Sequence, residues 1–158
     1  MDPIVKRYAK SGVRQQFRAD AGFARPELYE YLEEHGFLYA IRLPANAMLE
    51  REIEPCLGRP ENLEPGDPVR RYHDFAYRAG TWDRPRRVVA KIEWHAGEVF
   101  PRVGFIVTNR IDPARGVVRF YNGRGTCEQW IKEEAGFLKV SMPWSGCACR
   151  VMRSGTTR

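Results

Sequence analysis

Three consecutive strand-like runs in the middle of the chain restrict its fold more than any other sequence feature. The runs are Val69–Tyr77, Arg86–Trp94 and Val99–Thr108. Turn signals separate them at Gly80 and at Ala96-Gly97. Connections this short join antiparallel neighbours, because a parallel pair needs a crossover of roughly a dozen residues or more. The sequence therefore predicts an antiparallel meander, and the charges in the middle run are typical of a sheet with an exposed face.

Strand and helix signals alternate in the part of the chain before this meander. The predicted strands are Arg14–Asp20 and Phe37–Leu43. One predicted helix begins near Pro26 and stops at Gly36, and its buried side carries Leu28, Tyr31 and Leu32. A second predicted helix is capped by Asn46, and its buried side carries Met48, Leu49 and Ile53. The segment from Gly58 to Pro68 has no periodicity and is predicted to be a loop.

The segment after the meander carries signals that interrupt regular structure. Pro113 and Gly116 are expected to break the chain. Thr126 followed three positions later by Gln129 matches a capping box, which would begin a helix through Glu128.

The balance of charge is compatible with a polyanionic partner. The chain has 26 Lys and Arg residues against 20 Asp and Glu residues, a formal net charge of +6 and an isoelectric point of about 9.3. Arginines cluster, for example at Arg70-Arg71 and Arg86-Arg87, and clustered cations attract a phosphate backbone. On charge alone, a nucleic-acid partner and an ordinary solvated basic face are equally compatible with the sequence.

Other features disfavour a zinc site and a membrane location. The four cysteines lack Cys-x-x-Cys spacing, and the three histidines are not grouped near them. No apolar stretch approaches the roughly 20 residues that a membrane-spanning helix needs. The first residues contain no apolar signal segment. We therefore expect a cytoplasmic protein with no membrane partner.

Two carboxylates occupy positions that are compatible with a metal site. Asp20 ends a predicted strand beside small residues, and Glu128 lies near the start of a predicted helix. Carboxylates from separate elements can share a divalent metal, and Mg²⁺ prefers oxygen ligands. The two residues are far apart in the sequence, so the residues alone favour a solvated Asp and an ordinary helical Glu.

The spacing Tyr121-x-x-Arg124-x-x-x-Glu128 resembles the signature of bacterial insertion-sequence transposases of the DDE type. The stretch from Phe17 to Ala24, which contains Asp20, resembles the segment that carries the second catalytic Asp of that family. Further stretches similar to the family are 39–46 and 100–109.

The resemblance implies a fold and a domain organisation. The expected fold is α/β, a partial ribonuclease H-like fold with an inserted antiparallel β-subdomain over about residues 58–110. We expect a partial DDE transposase catalytic domain in residues 1–134 and a disordered or aberrant tail in residues 135–158.

The resemblance also implies roles for individual residues. Asp20 and Glu128 would be catalytic and would bind Mg²⁺ or Mn²⁺ for phosphodiester cleavage and strand transfer. Tyr121, Arg124 and Lys132 would contact DNA phosphate, which a phenol and a guanidinium fork can hold. The implied partners are DNA at transposon ends and, in an oligomer, a full-length transposase.

The sequence departs from the family pattern in three respects. The first catalytic Asp of the family would lie on an upstream strand, and Asp2 is not a credible substitute. The Lys expected seven positions after Glu128 falls on Ala135, with Lys132 off register, and the helical pattern stops after Glu134. We therefore expect a chain that is truncated at its N-terminus, frameshifted near its C-terminus and inactive by itself.

Two other functions are compatible with the sequence. A non-catalytic DNA-binding or regulatory form of a truncated transposase would keep the basic surface and bind DNA regardless of Asp20 and Glu128. An unrelated α+β binding module would match the family by chance, and divalent ions would not affect its melting.

Overall fold

Residues 15–61 and 63–123 are described by a computed structural model of the chain. The strands are β1 (Gln16–Ala19), β2 (Leu38–Leu43), β3 (Val69–Tyr77), β4 (Arg86–Trp94) and β5 (Arg102–Thr108). The helices are α1 (Pro26–Glu34), α2 (Ala47–Ile53) and α3, which begins at residue 114 and is described to residue 123. Short 3-10 helices cover Ala21–Phe23 and Glu54–Cys56. None of the helices in these ranges is long and apolar enough to cross a membrane.

The five strands form one sheet in the order β1-β2-β5-β4-β3. β1 and β2 are parallel, with Phe17 opposite Tyr39, and α1 is the crossover that joins them. β2 then pairs with β5 in antiparallel register, and β5, β4 and β3 form the meander. The meander therefore extends the same sheet as the first two strands.

Both sides of this sheet bury apolar residues. The side that packs with α1 and α2 is built largely on Tyr39, Ile41, Val88, Ala90, Ile92, Phe105 and Val107. The opposite side is built on Ala40, Val89 and Ile106, which pack against Val117 and Val118 of α3. Alternation along each strand produces these two sets, since successive side chains point to opposite faces. The exposed face that the sequence predicts is therefore reduced to the charged part of the α3 side.

The predicted meander is confirmed. β3 and β4 have the predicted bounds, whereas β5 begins at Arg102 instead of Val99. Val99 and Phe100 are 69% and 79% exposed, and Pro101 lacks the N–H that a strand interior needs. The pairing with β4 therefore starts only after the proline.

The predicted break at Pro113 is confirmed, since residues 109–113 lie in neither a strand nor a helix. The predicted break at Gly116 is wrong, because residues 114–123 form α3 and Gly116 lies inside it. Pro113 stands just before the first helical residue, where its missing N–H costs nothing. Its carbonyl accepts hydrogen bonds from the N–H groups of Gly116 and Val117 at 2.7 and 3.1 Å. Val117 and Val118 are fully or almost fully buried. Their burial outweighs the roughly 1 kcal/mol that Gly costs in a helix relative to Ala.

The buried sides of α1 and α2 also differ from the prediction. α1 buries Tyr29 in place of Tyr31, because the Tyr29 ring stacks on Tyr39 and meets Trp82 edge-on, at centroid distances of 5.7 and 5.4 Å. Met48 of α2, predicted to be buried, is 59% exposed. The predicted cap of α2 is confirmed, since the Asn46 side chain accepts a hydrogen bond from the third residue after it at 3.0 Å.

An ion-pair network fixes α1 to the start of β4 and to the residues just before it. Glu33 accepts hydrogen bonds from Arg86 at 3.0 and 3.1 Å, from Tyr39 at 2.7 Å and from Arg84. The Arg86 side chain is 2% exposed and also pairs with Asp83 at 2.9 Å. Burial disfavours the charged form of Glu33, but the hydrogen bonds from Arg86, Arg84 and Tyr39 outweigh it and lower the pKa of the carboxyl.

Replacing Glu33 by Gln should destabilise the fold by on the order of 3 kcal/mol, because the buried Arg86 loses the carboxylate of α1 and keeps only the more exposed Asp83. Since the pKa of Glu33 is lowered in the folded state, its contribution is complete above the ordinary value of 4.5. The contribution is lost as the pH falls through the folded value. Urea unfolding between about pH 3 and pH 7 should show the two proteins converging in acid. The matched control is Glu34→Gln at the exposed neighbouring position; an equal loss in both variants would contradict the network's role.

Candidate functional site

Asp20, the predicted catalytic carboxylate, follows the last residue of β1. Its backbone is extended (φ −80°, ψ −176°), and its side chain caps the 3-10 helix Ala21–Phe23 by accepting a hydrogen bond from the N–H of Gly22 at 3.2 Å. A Cβ on Gly22 would lie only 3.3 Å from Asp20 Oδ1, so a small residue suits this tight turn. The predicted strand end is confirmed, and the catalytic role of Asp20 stays a prediction.

Arg18, two positions before Asp20, joins β1 to α3. Its Nη1 donates a hydrogen bond to the carbonyl oxygen of Phe120 at 2.8 Å, and its guanidinium carbon lies 5.3 Å from the centre of the Phe120 ring. A Cβ on Gly123 would lie 2.7 Å from Arg18 Nη1, so the lack of a side chain at 123 makes room for the guanidinium. The last described turn of α3 therefore lies against the strand that ends at Asp20.

A second arginine packs on the same aromatic ring. Arg110 places its guanidinium carbon 4.1 Å from the centre of the Phe120 ring. It also donates hydrogen bonds to Gln16 at 3.3 Å and to the Asp112 carboxylate at 2.7 Å. The segment that leads into α3 is thus held to β1 as well, so both ends of the described helix are tied to the sheet.

Tyr121, a predicted phosphate contact, lies on α3. It is half-buried, packs against the apolar cluster under the helix and lines an open cleft of about 180 Å³ between α3 and the sheet. The elements that carry Asp20 and Tyr121 meet through the contact between Arg18 and Phe120. The predicted site residues outside the described part of the chain are Arg124, Glu128 and Lys132.

A complete metal site is not formed by the described residues. Within 15–61 and 63–123, no three His, Cys, Asp or Glu side chains are grouped as a metal site requires. Asp20 offers a carboxylate of the kind that Mg²⁺ prefers, but one such ligand does not hold the ion. No catalytic step through a metal follows from these residues alone.

The sequence identifies Arg18 only as a charge opposite the apolar face of β1, and it does not single out Arg110. The sequence does contain one signal for Arg18. It lies between the apolar residues Phe17 and Ala19, so its side chain must point away from the side of the sheet that packs with α1 and α2. The partner of Arg18 lies 102 positions away, and no local pattern identifies such a contact.

Comparison with known proteins identifies a family that the chain matches. A sequence model of the family described as transposase DDE domain group 1 matches residues 1–146, which is most of the chain. No curated protein and no solved structure matches.

Replacing Arg18 by Leu should lower the free energy of unfolding by about 1.5 kcal/mol, because a hydrogen bond from a charged donor and a cation–π contact are lost. Arg119→Leu is the matched control, since Arg119 is exposed on α3 and Leu has a similar helix propensity. Urea unfolding followed by circular dichroism measures both variants. A loss at Arg18 no larger than the loss at Arg119 would mean that β1 and α3 are not coupled through this contact.

Proposed function

The chain belongs to the transposase DDE domain group 1 family, and on this premise we propose that Asp20 and Glu128 are two of the three carboxylates with which such an enzyme cuts and joins DNA. Family membership supports a function in DNA transposition in general. The finer proposal concerns which residues act and what the isolated chain can do.

The packing of α3 on β1 is the observation that supports this proposal most. Gly123 lies next to Arg18, two positions before Asp20. Glu128 follows Gly123 by five positions, and five residues span at most about 17 Å. Chain length therefore allows Glu128 to approach the strand end that carries Asp20.

DDE transposases use divalent metal ions, and we propose Mg²⁺ or Mn²⁺ as the cofactor. A pair of such ions activates a water and stabilises the leaving oxygen in phosphodiester cleavage. Asp20 and Glu128 would supply oxygen ligands, which these ions prefer.

The proposed substrate is DNA at transposon ends. Tyr121, Arg124 and Lys132 would contact its phosphates, and such contacts position a strand without reading its sequence. The place of Tyr121 in an open cleft supports its part in this set. We further propose that the chain works in the cytoplasm and can join a full-length transposase in an oligomer.

The isolated chain should not cleave DNA by itself. The sequence supplies two candidate carboxylates where the family uses three, and a metal with fewer ligands is held more weakly and in the wrong geometry.

A non-catalytic DNA-binding or regulatory function is the second candidate. It would use the basic net charge of +6. A protein of this kind would bind DNA through its cations, with a steep dependence on salt.

The isolated chain, mixed with a supercoiled plasmid and Mg²⁺ or Mn²⁺, should leave the plasmid uncut. If Asp20 nevertheless helps to bind the ion, Mg²⁺ at ten times its Kd should stabilise the protein by about 1.4 kcal/mol. This gain should disappear in Asp20→Asn and Glu128→Gln but persist in Asp67→Asn, a change of an exposed loop carboxylate.

Gel analysis of the plasmid and thermal melting measure the two effects. Nicking that both carboxylate variants abolish would overturn the proposed inactivity. DNA binding without any stabilisation by metal would favour the regulatory function instead.

A further inference from the structure

The open cleft between α3 and the sheet has one wall from the helix and one from the charged part of the sheet. Tyr121 and Asn122 form the helical wall. The sheet side is lined by Arg42, Lys91, Glu93, Arg102 and Gly104, among others. All of these residues lie on the α3 side of the sheet, opposite α1 and α2, as the alternation along the strands requires.

The Arg42 side chain differs from the other cations of the cleft, because it has no partner among the described residues. Lys91 pairs with Glu93 at 2.8 Å, and Arg102 pairs with Glu98. Arg42 is exposed, and its side chain forms no hydrogen bond or ion pair with any residue of the described ranges. The cleft therefore presents one guanidinium that is available to an anion.

Gly104 keeps the centre of the cleft open. It lies on β5 opposite Lys91 of β4, and a Cβ at this position would meet no atom within 4 Å. The resulting space of about 180 Å³ is smaller than the roughly 300–1,000 Å³ of small-molecule sites. Such a space suits a single anionic group better than a whole nucleotide.

We propose that this cleft seats one backbone phosphate of the DNA substrate, held by Arg42 over the gap at Gly104. We assign the phosphate to a DNA strand and not to a free anion. The cleft is open, and a single exposed guanidinium binds a free anion only weakly. This inference rests on the proposed function, since it assigns part of the DNA path. Arg42 and Gly104 lie in stretches similar to the family, but the resemblance assigns phosphate contacts only to Tyr121, Arg124 and Lys132, so this contact is additional to that set.

Salt dependence of DNA binding tests the proposal. A fluorescent DNA duplex is titrated with the full chain at several salt concentrations, and log K is plotted against log salt. Each phosphate contact contributes about 0.9 to the slope, so Arg42→Gln should make the slope shallower by about 0.9. The matched control is Arg51→Gln, which removes the same charge from an exposed position on α2, on the opposite side of the sheet.

A second variant tests the shape of the cleft with no change in charge. Gly104→Val fills the open space with a residue that suits a strand, and it should weaken DNA binding several-fold at fixed salt while leaving the melting temperature unchanged or raised. Wild-type affinity in this variant would overturn the proposal.

The remaining outcomes separate the cleft from the proposed function. Equal slopes for Arg42→Gln and Arg51→Gln, with strong salt-dependent binding by the wild type, would overturn the proposed phosphate site but not the proposed function. Absence of DNA binding by the wild type would overturn both. Calorimetry with inorganic phosphate is the final arm: binding that depends on Arg42, while DNA binding does not, would make the cleft a small-anion site and overturn the proposal.

Discussion

The sheet has two apolar sides, and every other feature of the described structure depends on covering both of them. Adjacent residues of β4 illustrate the constraint, since Val88 and Val89 are both fully buried although they point in opposite directions. One side is covered by α1 and α2, which lie in the sequence between β1 and β3. The other side needs a later segment, and α3 supplies it. The described part of α3 leaves charged residues beside it uncovered, and these residues line the cleft.

Several arginine side chains hold α3 and the residues just before it against the sheet. Arg87 forms two hydrogen bonds with Asp74, at 2.7 and 2.6 Å, and donates to the main-chain oxygens of Arg110 and Asp112. The planar guanidinium suits this work, because it offers several donors in fixed directions and can also lie against an aromatic ring. The basic composition therefore serves the fold as well as any polyanionic partner, and net charge alone does not distinguish these two uses.

Periodicity predicted the parts of the fold that local sequence determines. The bounds of β3 and β4 follow from β-rich runs between turn signals, and the cap at Asn46 follows from its residue type. α3 was missed because Gly116 signals a break locally, whereas the burial of Val117 and Val118 depends on a sheet side that the sequence does not display. At the site, the strand end at Asp20 was predictable from its own neighbours. The link from Arg18 to Phe120 was not, because it joins residues 102 positions apart.

That link has a consequence for the proposed chemistry. β1 has only four residues, and within the described ranges it pairs with β2 alone. A short strand paired on one side opens more easily than a central one, since fewer hydrogen bonds and contacts must break. The contacts of Arg18 and Arg110 with Phe120 add long-range restraint at this strand and tie it to the helix that carries Tyr121. Productive geometry at a metal site requires ligands held within about 0.5 Å. If Asp20 is a metal ligand as proposed, the precise position of its carboxylate therefore depends on the packing of α3 against β1 as well as on β1 itself.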